Sequence, residues 1–306
     1  MASSSSLPLA AVFLFCYAFA ASSAATPRFL SLVQPTPLVL NYHKGPLLNG
    51  NITVNLLWYG TFSPAQRSVI SDFFLSLGAS SPPSPSVSSW WRTIGSYRGG
   101  PRDVVLGRQA FDSKYGLGKS LTSTQVRRLA RRLGTGGNAV NFVLTAADVS
   151  IEEFCMSSCG SHEYARAGRR GARFVYAWVG NPVSQCPGQC AWPFHKPIYG
   201  PQGPPLVAPN GDIGVDGMVI NIATVLAGAV TNPFDSGYYQ GSAEAPLEAV
   251  SACTGIFGKG AFPGNPGAVL LEKTTGASYN ANGVSGRRFL LPAMWDPTTL
   301  ACKTLV

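Results

Sequence analysis

The chain has 306 residues, 45% apolar and 12% charged, with a formal net charge of +9. The apolar share suffices for a packed core and excludes a disordered chain, while Gly 34 and Pro 24 call for many turns. No apolar run beyond the N-terminal segment reaches the ~18–20 residues of a membrane helix, which excludes an internal span.

From Leu7 to Ala20 the chain reads LPLAAVFLFCYAFA, an apolar stretch of secretory-signal length. The small residues AASSAATP follow and offer cleavage after Ala20 or near Ala25. Residues 1–25 are expected to be a signal peptide and 26–306 one domain, with 26–48 an extended leader joining the fold. Ile52 to Tyr59 (ITVNLLWY) reads as a strand buried on both faces. Ser63, Pro64 and Gly78 bracket a helix with the apolar stripe Val69, Ile70, Phe73, Phe74 and Leu77. Residues 88–97 suggest a short helix with Trp90, Trp91 and Ile94 inward. Asp103 to Phe111 reads as a strand. Thr122 and Gln125 form a capping-box pattern before a helix that turns Val126, Leu129 and Leu133 inward and ends near Leu133. Residues 139–146 and 172–180 read as strands. A long Pro/Gly-rich loop follows, and then residues 214–232 form a helix apolar nearly all round, hence central and buried. The rest, 233–306, reads as loops and short pieces. The expected fold is mixed α/β (α+β): a single domain with a mixed sheet, a buried central helix and long disulfide-tied loops.

Setting Cys16 aside with the signal leaves Cys155, Cys159, Cys186, Cys190, Cys253 and Cys302. An even count in a secreted chain implies three disulfides, with 15 pairings open. A four-thiolate metal site is the weaker alternative in an oxidising compartment. Asn51-Ile52-Thr53 is a glycosylation sequon. The positive charge lies in the first half: residues 1–173 hold 17 Lys/Arg against 7 Asp/Glu, and the remainder 6 against 7. Two clusters dominate, Arg127, Arg128, Arg131, Arg132 and Arg166, Arg169, Arg170, Arg173. Such a face attracts polyanions, outside the cell acidic polysaccharide rather than nucleic acid.

Catalytic patterns are sparse. His43, His162 and His195 show no zinc spacing, and His162-Glu163 is expected in a loop. SKYGLGKS (113–120) lacks the first glycine of a P-loop, and no G-x-S-x-G elbow occurs. Asp212, Asp216, Asp235, Glu244 and Glu248 are candidates for paired carboxylate chemistry by proximity in sequence alone, the first two being expected to cap the buried helix. Loop aromatics that could stack on sugars place a ligand groove over that helix, edged by Trp192, Phe194, His195 and Tyr239.

The segments QCPGQCAWPFHKPIYGPQGPP (185–205), NGDIGVDGMVINIATVLAGAVTNPF (210–234), APLEAVSAC (245–253), LLPAMWDP (290–297) and NYHKGPLLNGNITVNLLWYG (41–60) resemble the plant EXORDIUM-like, or phosphate-induced, family over essentially the whole domain. The resemblance implies a secreted apoplastic cell-wall protein tied to cell expansion and brassinosteroid-linked growth, with no established catalytic activity. Residues 224–233 also resemble the H-E-L-x-E-x-V-T-D-P helix of distant microbial zincin-type relatives. Here Thr224, Val225 and Gly228 supply no metal ligands, and Asn232 replaces the acid. The expectation is a zincin-like scaffold without metal or other cofactor and without catalytic residues, which binds acidic polysaccharide or an extracellular receptor. The alternatives are a glycan-active enzyme built on unpaired Asp/Glu and a structural wall protein.

Overall fold

A strand that is apolar on both sides needs cover on two faces, and the ITVNLLWY segment finds it at the centre of a sheet. The computed structural model describes residues 37–306 except 81, 169, 170, 201 and 202; Leu38–Val306 form one compact unit. The expected signal peptide and two arginines of the second cluster, Arg169 and Arg170, lie outside the described residues.

Strand β1 (Gly50–Tyr59) is flanked in parallel by β2 (Pro101–Asp112) and β3 (Ala139–Thr145). Beyond β3 come β4 (Gly160–Arg166) and β5 (Arg173–Gly180): β5 pairs in parallel with β3, and β4 pairs antiparallel outside it. The order β2-β1-β3-β5-β4 makes a mixed five-stranded sheet with β4 at one edge. β4 was expected to be loop; its polar residues hide only part of one face, so no apolar alternation marks it.

Period-two alternation sorts the strand residues into two cores. Val54, Leu56 and Trp58 of β1 join Phe142 and Leu144 of β3 on the face covered by α1 (Pro64–Leu77). Leu57 and Tyr59 join Val143, Tyr176 and Trp178 on the opposite face, under α2 (Ser123–Arg131). Both helices start in the anticipated capping boxes, Ser63 with Gln66 and Thr122 with Gln125. Residues 88–97 divide into a helical turn, Val87–Trp91, and a 3-10 turn, Arg92–Ser96, with Trp90, Trp91 and Ile94 all buried.

The long helix α3 (Ile213–Thr231) lies with α1 on the first face. Its 19 residues are long and apolar enough to cross a membrane, contrary to the expectation that no internal run is. Sixteen of them are buried within the fold, so the apolar surface is satisfied by the sheet and neighbouring loops. Asp212 caps it, its Oδ1 accepting from Val215 N at 3.0 Å. Asp216, also expected as a cap, is instead buried one turn in, and its carboxylate accepts from both the backbone and side-chain nitrogens of Asn210.

The leader joins the fold where Asn41–Tyr42 pairs with Tyr238–Tyr239. The disulfides are Cys155–Cys186, Cys159–Cys190 and Cys253–Cys302. The first two tie the loop before β4 to the loop after β5, and the third ties Ser251–Cys253 to the final short strand, Ala301–Lys303.

Candidate functional site

A glycine in the last turns of α3 opens the space for the most buried ion pair among the described residues. At Gly228 a Cβ would collide with Glu248 Oε2 and stand 2.9 Å from His162 Nε2. Without one, the His162 imidazole from β4 lies against the helix, and its Nε2 meets both Glu248 oxygens at 3.0 and 2.9 Å. The two side chains are only 9% and 13% exposed. Asn232 Nδ2, at the end of α3, donates to Glu248 Oε1 at 2.8 Å, and its own Oδ1 accepts from Gly237 N. Burial opposes a charge on His162, but the Glu248 carboxylate, with Asp235 and Glu163 nearby, outweighs it and raises the imidazole pKa above its ordinary value. The imidazole Nδ1 is buried and has no hydrogen-bond partner among the described residues.

This pair forms part of the wall of a cleft of about 680 Å³ running along β4 from Gly160 to Glu163. Five carboxylates line it: Glu153 before the strand, Glu163 on it, and Asp235, Glu244 and Glu248 from the segment after α3. Partial withdrawal from water, reinforced by Glu248 and Glu163 against the opposing pull of His162, raises the Asp235 carboxyl above the usual range. Glu163 Oε2 accepts from Tyr176 OH at 2.5 Å, which anchors it to β5. Of the five acids considered from sequence, the fold thus gathers Asp235, Glu244 and Glu248; Asp212 and Asp216 belong to the start of α3. Glu153 escaped the sequence reading, and His162-Glu163, expected in a loop, stands on β4 instead. No local pattern in SHEYAR gave these residues away, because the strand is polar and only partly buried.

The other end of β4 carries the opposite charge. Arg127, Arg128 and Arg131 project from the exposed face of α2 and meet Arg166 of β4 around a groove of about 450 Å³ floored by Phe174. None of these four enters an ion pair among the described residues. Arg132, expected in the same set, turns away: its guanidinium bonds Asp112 Oδ2 at 3.0 Å at the end of β2. Arg173 packs its guanidinium over Phe234, 3.9 Å from the ring centroid.

The expected aromatic groove does not assemble. Phe194 is core, 2% exposed, packed with Phe257 and Leu290. Tyr239 is buried where the leader pairs with the fold, its ring stacked on His43 at 3.8 Å. Trp192 lines a separate, largely apolar cavity with Tyr199 and Phe262, and the exposed His195 shares only a small crevice with it. Pairing of Tyr238–Tyr239 with Asn41–Tyr42, a contact distant in sequence, takes Tyr239 out of the set. Asn51 is exposed at the start of β1 and open to modification.

The four positions matched to a zincin helix do face the acidic cleft: Thr224 and Val225 line it, and Gly228 and Asn232 touch Glu248. These residues do not fit a metal. Thr224 Oγ1 donates back to Ile220 O, His162 Nε2 is held by Glu248, and no group of three metal-ligating side chains converges among the described residues.

Comparison with known proteins adds a lineage to this geometry. The profile of the phosphate-induced protein 1 conserved region matches residues 40–305. The chain is 59% identical to Protein EXORDIUM-like 2 of Arabidopsis thaliana, covering 90% of this chain and 92% of that one. It is 53% identical to Protein EXORDIUM of the same plant, over 96% and 98% of the two chains. With Protein PHOSPHATE-INDUCED 1 of Nicotiana tabacum it shares 54% identity over 92% and 93%. No solved structure matches it.

Proposed function

The chain belongs to the EXORDIUM/phosphate-induced protein 1 family, and from that premise we propose that it is a secreted, non-catalytic protein of the cell wall that holds acidic polysaccharide. On this reading it acts in cell expansion and brassinosteroid-linked growth by binding rather than by turnover. The supporting observation is the groove of Arg127, Arg128, Arg131 and Arg166, four exposed guanidinium groups with no carboxylate partner among the described residues. Guanidinium groups bind carboxylates in a planar, two-point fashion, which suits the uronate carboxylates of demethylated pectin. Three disulfides and an exposed sequon at Asn51 accord with a secretory route.

The test is retention of the purified protein on immobilised polygalacturonate across a salt gradient. Charge-driven binding should fade as the screening length falls below ~8–10 Å. Combined Arg127→Ala, Arg128→Ala and Arg131→Ala should lower the eluting salt sharply, and Arg132→Ala should not. Retention indifferent to salt and to the triple substitution overturns the reading. Release of reducing sugar from wall polysaccharide, abolished by a single change at Asp235 or Glu248, overturns its non-catalytic half. Export of a fluorescent fusion that depends on residues 1–25 checks the secretion step.

A further inference from the structure

We propose that the acidic cleft is a docking site for an extended basic peptide, which adds as a strand to the outer edge of β4 and places lysine or arginine side chains among the five carboxylates. β4 is the last strand of its sheet, so among the described residues only one side of its backbone is paired, from Gly160↔Val179 to Arg166↔Arg173. The cleft runs beside four consecutive residues of this strand, Gly160 to Glu163, so the sheet edge forms one side of it, with helix α3 and flanking loops forming the rest. An edge strand is a template for main-chain pairing, and an extended segment laid on it gains affinity from backbone bonds and specificity from alternate side chains. Two carbonyls of the strand, Gly160 and His162, accept from the hydroxyls of Ser158 and Ser161 at 3.2 and 3.3 Å, long contacts that an incoming N–H can displace.

Charge selects the class of peptide. Around the cleft stand Glu153, Glu163, Asp235, Glu244 and Glu248, and the only basic side chain among the described residues that line it is His162, which is paired to Glu248. The remaining carboxylates leave a negative field in a chain that is positive overall. Val225, Ala243, Ala245 and Pro246 add apolar surface on which the methylene stem of a lysine or arginine can lie. A second observation concerns the histidine itself. His162, nine-tenths buried in the cleft wall, carries an Nδ1 with no hydrogen-bond partner among the described residues. Groups of this kind are rare in folded proteins. The cavity of about 680 Å³ lies within the usual range of ligand sites. A small polyamine would use the charge but not the strand edge, and that difference gives the experiment.

The probe is a short fluorescein-labelled peptide alternating lysine and valine, titrated against the full chain and followed by anisotropy. Controls are the same peptide N-methylated at alternate backbone nitrogens, a glutamate-for-lysine version, and spermidine as competitor. Binding is expected, with at least a tenfold loss on either N-methylation or charge reversal and little competition from spermidine. Glu153→Gln with Glu244→Gln should weaken it similarly, and because both residues are exposed the thermal midpoint should not move. Absence of binding, binding indifferent to N-methylation, equal competition by spermidine, or full affinity in the double variant each overturns the proposal.

Discussion

The two ends of β4 hold opposite electrostatic solutions on one short strand. At Arg166 the strand meets the arginines of α2, which are exposed, mutually repelling and free of acidic partners among the described residues. At Gly160 to Glu163 it meets five carboxylates, one of them locked to a nearly buried histidine. The arginine groove is a solvated surface: its charges lie outside the core, and the fold does not depend on them. The acidic cleft reaches into the packing, because Gly228, His162, Glu248 and Asn232 form one connected set at the end of α3. A net charge of +9 therefore describes neither region. It averages a surface that can change without structural cost and a cluster that cannot.

The sharpest way to break this contrast is Glu248→Ala. It strands a buried imidazole and leaves the Asn232 amide without its acceptor, so a loss of about 3 kcal/mol in unfolding free energy is expected. Chemical denaturation measures it, and the arginine triple variant, tested alongside, should stay within about 0.5 kcal/mol of the parent. Gly228→Ala should follow at about 1–3 kcal/mol, because its Cβ meets Glu248 and His162 and one of them must shift.

A smaller effect comes from pH. The raised His162 pKa means that the ion pair contributes fully below about pH 6.5, and that the contribution is lost as pH rises through the higher folded value. Burial pushes the Asp216 carboxyl up to about 7, so the folded state resists its ionisation and loses ground as pH climbs from the ordinary carboxylate range to that point. Both signs agree: the thermal midpoint should be higher in mild acid than above neutrality. Glu248→Gln should remove the histidine part of the slope and leave the Asp216 part. The smallest change is expected from Arg132→Ala, which gives up one exposed pair with Asp112 worth about 0–1 kcal/mol. A large loss there would show that the arginine surface is more structural than its exposure suggests.

Periodicity and caps made much of this architecture readable in advance. β1, α1, α2, β3, β5 and α3 announce themselves because each buries a regular apolar pattern, and Ser63, Thr122 and Asp212 mark helix starts by the donors they satisfy. β4 does not, since SHEYAR is polar and is held in place by β5 rather than by its own pattern. The short pairings after residue 233 are likewise invisible locally; Ala281–Asn282 with Arg288–Phe289 is two residues long on each side. The candidate site suffered most. Glu248 and His162 stand 86 positions apart, and only the crossing of β4 over α3 makes them neighbours. Asp235 and Glu244 were visible as acids near a helix end, but nothing in their spacing names Glu153 or Glu163 as companions.

The disulfides Cys155–Cys186 and Cys159–Cys190 act as two rungs between the same pair of loops. One rail bears Glu153, Ser157 and Ser158 at the mouth of the acidic cleft; the other leads into Gln189 and Trp192, the shelf of the apolar cavity. Opening both rungs with a mild reductant should slacken the two cavities together while the five-stranded sheet stands, so thiol exposure becomes a common key to sites that share no side chain.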